Sequence, residues 1–200
     1  MKKFATVLLM AIMLFVFSGC TVEEKETERT YKADGTYMVW ELGVYEEKLL
    51  MPDGSTYTDA DGKTVTVNTP VLSTVKVTIY NDKVVSYDID ELQSKPYVAT
   101  SRTGEVQMDE TTKVVKGVTW KFNDMTKKEL EYGYNMEAYA AQGEWYIQIL
   151  KLENYFLENG PKSDDTIKTS VTISFDNYVT LAQEALQNAK DGKVGAIVDK

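Results

Sequence analysis

The sequence predicts an α+β domain, an antiparallel sheet with helices packed on one side. Three observations carry this. Residues 71–89 alternate apolar and polar side chains on both sides of a turn, the mark of a β-hairpin. After about residue 126 the period changes, and apolar residues recur at helical spacing over 143–159 and 178–189. Strands come first and helices later, with one further strand expected between them, so the helices should cover one face of the sheet.

Ahead of this domain stands a different kind of segment. Lys2 and Lys3 precede an apolar run, residues 4–17, broken only by Thr6, and Ser18-Gly19-Cys20 follows. A charged front, an apolar middle and small residues at the end make a secretory signal peptide, residues 1–19. The run is shorter than the roughly 20 apolar residues needed to span a bilayer. Cys20 is the single cysteine of the chain and has no internal disulfide partner. Phe17-Ser18-Gly19-Cys20 resembles the lipobox of bacterial lipoproteins, which implies that Cys20 becomes the first mature residue and carries lipid. Each buried lipid methylene adds about 0.8 kcal/mol of membrane affinity, so several acyl chains anchor firmly. The expected address is the extracytoplasmic face of a cell membrane. Residues 20–33 follow as lipidated Cys and flexible tether: Thr21-Val22-Glu23-Glu24-Lys25-Glu26-Thr27-Glu28-Arg29-Thr30 is charged and offers one apolar side chain to any core, so it is not expected to pack.

The full chain of 200 residues carries a net charge of −9, and loss of Lys2 and Lys3 with no acid among residues 1–19 leaves −11. Such a surface repels nucleic-acid phosphates, so no nucleic-acid partner is expected. There is no histidine. That excludes Ser-His-Asp and Cys-His catalysis and removes the commonest transition-metal ligand. With the one cysteine assigned to lipid, no metal site is expected.

The elements follow in order. Asp34-Gly35 is a turn into a first strand over about 36–44. Residues 45–70 read as an insertion or hairpin, with turn signals at Asp53-Gly54 and Asp61-Gly62. Asp59-Ala60-Asp61-Gly62 lacks the further ligands and the glutamate of a calcium hand. In the hairpin, Val75, Val77 and Ile79 share one face, and Asn81-Asp82-Lys83 turns the chain into a strand over 84–89. Residues 118–120 offer another strand. Thr126 and Glu129 fit a capping box that starts a helix ending near Gly133. Trp145, Ile149, Leu152 and Phe156 form the stripe of a longer helix, stopped by Gly160-Pro161. Residues 166–174 are β-branched and rich in hydroxyls, which predicts a strand. Asp176 fits the cap of a last helix striped by Tyr178, Leu181, Ala182, Ala185, Leu186 and Ala189, with Gly192 at its end. A tail, residues 191–200, includes the apolar stretch 194–198. No repeat of fixed period is evident.

Hydroxyls and backbone N–H groups just ahead of a helix suit a phosphate. The order of elements also resembles the FMN-binding domain family of exported flavoproteins and the related major membrane immunogen-like, membrane-anchored lipoproteins. The matching segments are Asp34-Gly35-Thr36-Tyr37, the hairpin of residues 74–90, the stretches 127–136 and 143–160, and the closing unit 164–186. The likeness covers a single domain, residues 34–190, with the insertion at 45–70. It implies FMN as cofactor, a flavin transferase and a membrane electron donor as partners, and electron relay rather than substrate turnover. The family's Ser/Thr-Gly-Ala-Thr motif falls on Thr169-Ser170-Val171-Thr172, which would make Thr172 the phosphoester residue and Thr169 and Ser170 its neighbours. Ser170 and Val171 stand where the motif has Gly and Ala. Tyr134, Met136 and Trp145 are candidate partners of the flavin ring. The alternative function is a non-catalytic binding or structural surface lipoprotein on the same fold. Glu46-Glu47 and Asp164-Asp165 are adjacent in sequence and suit solvated turns better than paired acid–base work.

Overall fold

The hairpin visible in the sequence is the middle of a much longer pair of strands. In the computed structural model, which describes residues 28–112 and 114–193, β1 (Gly35–Lys48), β2 (Thr66–Tyr80), β3 (Lys83–Val98) and β4 (Val118–Phe122) form an antiparallel sheet in the order β1-β2-β3-β4. Cys20 and residues 194–198 lie outside the described residues. The helical half comprises α1 (Lys127–Leu130), which continues as a 3-10 turn (Glu131–Tyr134), then α2 (Trp145–Asn159), α3 (Asp165–Ser170) and α4 (Asp176–Asp191). The chain is therefore α+β, with helices on one side of a curled four-stranded antiparallel sheet. Among the described residues no helix is long and apolar enough to cross a membrane.

Alternation sets the inner face. Tyr37 and Val39 of β1, Val75, Val77 and Ile79 of β2, and Tyr87 and Ile89 of β3 are all buried. They meet Trp145, Ile149, Leu152 and Phe156 of α2 and Tyr178, Leu181, Ala182, Ala185 and Ala189 of α4. The alanines let α4 lie close to β1 and β2. Leu150 and Leu157, beside the α2 stripe, are exposed instead. The β2–β3 turn places Asn81 and Asp82 at positive φ, the two-residue geometry that matches strand twist.

The insertion after β1 has a counterpart that the sequence conceals. Residues 49–57 and 99–107 repeat the same backbone hydrogen bonds fifty positions apart, Gly54 N–H to Met51 and Gly104 N–H to Ser101, Tyr57 N–H to Leu49 and Gln107 N–H to Ala99. The spacing then slips by one, Asp59 N–H going to Lys63 and Asp109 N–H to Val114. Gly54 and Gly104 both need positive φ. Leu50 bridges to Tyr97 of β3, which curls the sheet around a second small core of Leu49, Tyr57 and Val98. The Asp59 carboxylate is taken by the N–H groups of Asp61 and Lys63.

Residues 166–174 correct the sequence reading: they are not a strand. Asp164 accepts the N–H groups of Thr166 and Ile167 and caps α3, and the Thr169 and Ser170 hydroxyls turn back to the Thr166 carbonyl. These local bonds outweigh the β propensity of the segment, and the chain leaves α3 through Val171 in an extended conformation. The Thr126–Glu129 capping box is present as expected. Asp176 does not cap α4; it sits in the first turn, and the cap position is Phe175.

The segment before β1 is clasped to the body. Asp82 accepts the N–H groups of Thr30 and Tyr31, and Asp34 accepts those of Asn81 and Asp82, with Arg29 paired to both acids. These backbone N–H bonds hold both carboxyls below the usual carboxylate range. A lowered folded pKa gives stability that is present above the ordinary value and lost as pH falls through the folded one. The amide shifts of Thr30, Tyr31 and Asn81 should therefore titrate together in NMR spectra as pH falls below about 4. Asp82→Ala should place Thr30 and Tyr31 at their acid positions already at neutral pH. Amides that stay put under both changes would show that the clasp does not hold.

Beyond Ser94 towards its start, β3 has β2 on one side and, among the described residues, no strand on the other. Glu153 of α2 accepts the Ile89 N–H at 2.7 Å and the Lys128 ammonium at 2.7 Å, and Lys128 also reaches Asp88 at 2.6 Å. Burial pushes the Glu153 carboxyl up despite these donors. Asp88 is also desolvated, but its bonds from Lys128 and Lys76 win and hold it below the usual range. Glu153→Ala strands the Ile89 N–H and leaves the Lys128 ammonium with Asp88 alone, and should cost about 1–3 kcal/mol in urea denaturation. A loss under about 0.5 kcal/mol would mean that water serves this edge equally well.

Candidate functional site

A cleft of about 430 Å³ opens where the inner face of β3, the 3-10 turn, the start of α2 and the start of α4 meet. Each wall has a local cause. The 3-10 turn ends with Asn135 in the left-handed region, which delivers half-buried Tyr134 to the cleft. Met136 follows on a loop fixed by Glu144: this 2% exposed carboxylate accepts the N–H groups of Met136 and Glu137 at 2.8 and 3.0 Å. Trp145 opens α2 and is buried, its ring edge-on to Tyr178 of α4. Thr172, Ile173 and Ser174 line the side nearest α4.

That last wall is clamped from behind. Gln148 of α2 is completely buried, and its side-chain oxygen accepts the Thr172 N–H at 2.6 Å, the Ile173 N–H at 3.3 Å and the Thr172 hydroxyl at 3.2 Å. Its amide nitrogen donates to the Gly143 carbonyl at 2.8 Å, which fixes the side chain's orientation. Val171, just before, is buried in the main core. The chain leaving α3 thus puts Val171 in the core and Thr172, Ile173 and Ser174 along the cleft.

One charged group pair is built into the cleft. Lys127 of α1 meets Glu91 of β3 at 2.5 Å, with both side chains about nine-tenths buried. The Lys127 ammonium also lies 5.1 Å from the Tyr134 ring centre and 5.3 Å from that of Trp145. The Tyr178 hydroxyl donates to the second Glu91 oxygen. Burial first, and then the Glu91 charge, push that hydroxyl well above the ordinary tyrosine value, so it stays a donor at any usual pH.

The structure brings Thr172 together with Tyr134, Met136 and Trp145. Thr169 and Ser170 are elsewhere. They line a separate cleft of about 540 Å³ with Lys151 and Tyr155, and their hydroxyls are engaged with the Thr166 carbonyl. Sequence reasoning missed Glu91, Lys127, Glu144 and Gln148. Two of these had a signal: Glu91 continues the inward alternation of Tyr87 and Ile89, and Gln148 lies on the buried stripe beside Ile149. Asp164, from the adjacent pair, is spent as the α3 cap. Among the described residues no group of three or more metal-ligating side chains is assembled. The Thr172 hydroxyl donates to the neutral side-chain amide of Gln148.

Gln148→Leu keeps the volume and removes the acceptor. It should raise amide exchange at Thr172 and Ile173 at least tenfold beyond any global change, as expected for loss of a bond worth about 1–3 kcal/mol. Unchanged exchange there would mean that packing alone holds the wall.

No protein-family model, no curated protein and no solved structure matches this chain, so the cleft is understood from its own residues.

Proposed function

We propose that the protein is a lipid-anchored extracytoplasmic lipoprotein that binds FMN in the cleft between Tyr134, Trp145 and Thr172 and relays electrons. The observation that carries this reading is a convergence. Tyr134 and Met136, Trp145, and Thr172 come from the three segments 127–136, 143–160 and 164–186 that resemble flavin-binding domains, the last distant in sequence from the first two, and they line one cleft. The fold class, helices on one face of an antiparallel sheet, is compatible with that family. The cleft volume falls in the range that holds small organic cofactors.

The residues present suit FMN. Trp145 and Tyr134 offer aromatic walls and Met136 a thioether to a flat ring. Thr172 and Ser174 stand ahead of α4, whose first turn has no side-chain cap, so its N–H groups are available to a phosphate. Asp176 in that turn opposes an anion and moderates the attraction. The hold we infer is non-covalent. The Thr172 hydroxyl is already bonded to Gln148, and buried Val171 stands where the covalent motif has alanine. When bound, FMN supplies the electron exchange; the protein binds it, orients it and shields it from water. Anchoring through lipid on Cys20 keeps the carrier at the membrane, within reach of a membrane electron donor.

Protein expressed in its native host should show flavin absorbance that is lost to the filtrate on denaturation. Mass spectrometry should find a chain starting at lipid-modified Cys20 without an FMN adduct. Thr172→Ala should leave FMN affinity within about threefold of wild type, because the one hydroxyl proton goes to Gln148 and not to the ligand. Flavin that stays attached after denaturation would make Thr172 a covalent site. Protein that is colourless and takes up no added FMN would refute the reading and leave a non-catalytic binding lipoprotein. An uncut chain in the cytosol would refute the anchor.

A further inference from the structure

Lys127 is the one feature of the cleft that packing alone does not explain. A buried ion pair is a poor source of stability, since well-packed apolar residues of similar size usually do as well. Yet here a lysine and a glutamate, each about nine-tenths buried, meet at 2.5 Å in the wall of an open cleft. The brace behind them is firm: the second Glu91 oxygen is taken by Tyr178, and Glu91 itself sits in the register of β3 opposite Ser73. The front is less complete. An ammonium has three N–H donors, and here one carboxylate and the ring faces of Tyr134 and Trp145 take them up. A ring face is a weaker partner than an oxygen, so a carbonyl or anionic ligand edge arriving between those rings improves the lysine's position. Met, Leu or Gln at 127 would offer a ligand no such charge.

We propose that Lys127 is the cleft's recognition residue, a cation braced by Glu91 that receives the carbonyl-bearing edge of a flat ring lying against Tyr134 and Trp145 and favours that ring's reduced, anionic state. This rests on the FMN reading. Uptake of two electrons and one proton from an external donor leaves the ring one unit more negative, and a fixed cation in a partly desolvated site stabilises that charge. Glu91 and Tyr178 act through Lys127 as positioning residues, because they hold the ammonium without needing to touch the ligand.

The test compares wild type, Lys127→Arg, Lys127→Met and the double variant Glu91→Gln/Lys127→Met, each loaded with FMN, by midpoint potential and by affinity for oxidised FMN. Lys127→Met should lose about tenfold of the preference for reduced over oxidised FMN, a fall of about 30 mV for a two-electron couple. Lys127→Arg should stay within threefold of wild type. The double variant leaves no stranded carboxylate and should keep the wild-type circular dichroism; its midpoint should also fall, so it carries the test if Lys127→Met does not fold. Unchanged midpoints in both neutral variants would overturn this inference and leave the FMN reading intact. Failure of the wild type itself to bind FMN would overturn both.

Discussion

Three buried polar side chains on α2 and at its start hold the backbone of three segments that lack a regular hydrogen-bonding partner. Glu144 takes the N–H groups of Met136 and Glu137, Gln148 those of Thr172 and Ile173, and Glu153 that of Ile89 on the open side of β3. Unpaired backbone donors away from water are costly. The helix therefore does more than cover the sheet with Ile149, Leu152 and Phe156. It ties a loop, an extended wall and a strand edge to one rigid body, and the cleft lies where two of these ties meet. Removing the polar residues would leave the apolar stripe intact while freeing the parts that give the site its shape.

The edge of β3 explains how charge is distributed around that body. Asp88 and Glu91 lie on opposite faces of the strand, and Lys127 and Lys128 are neighbours at the start of α1. Lys128 goes to the edge, where Asp88 and Glu153 receive it, and Lys127 goes inward to Glu91. Two lysines in a helix's first turn oppose its dipole, but α1 is a single turn, and the acids of β3 and α2 outweigh that effect. One dipeptide thus closes an exposed strand edge and also equips the cleft with its cation.

Much of the fold was legible because it follows from periodicity. The alternation of Val75, Val77 and Ile79, the stripe Trp145 to Phe156, and the Thr126–Glu129 box each translate directly into an element. The failures were of two kinds. At 166–170, local hydrogen bonds from Asp164, Thr169 and Ser170 overrode β-branched composition, and propensity could not weigh them. The paired excursions after β1 and β3 share little beyond Gly54 with Gly104 and Asp59 with Asp109, because their repeated feature is a backbone bonding pattern that many side chains tolerate. Of the cleft's lining, Tyr134, Met136 and Trp145 stand out in the sequence by their aromatic or thioether side chains and Thr172 by a motif resemblance, and the fold brings these four together. Glu91, Lys127, Glu144 and Gln148 do not, since a polar residue on a buried face reads as surface until its partner, far away in sequence, is known.

The overall charge bears on how such a cleft is used. At −9, the chain presents a field that slows the approach of any anion. Attraction by Lys127 is local and largely cancelled at a distance by Glu91, so it cannot steer a phosphate-bearing ligand from solution. Under the FMN proposal, the cleft's contribution is retention, through aromatic walls, a clamped backbone and the Lys127 cation. Slow capture with slow loss suits a cofactor loaded once and kept. It suits poorly a substrate that must enter and leave in each cycle, which is why the FMN proposal takes the form of a resident carrier.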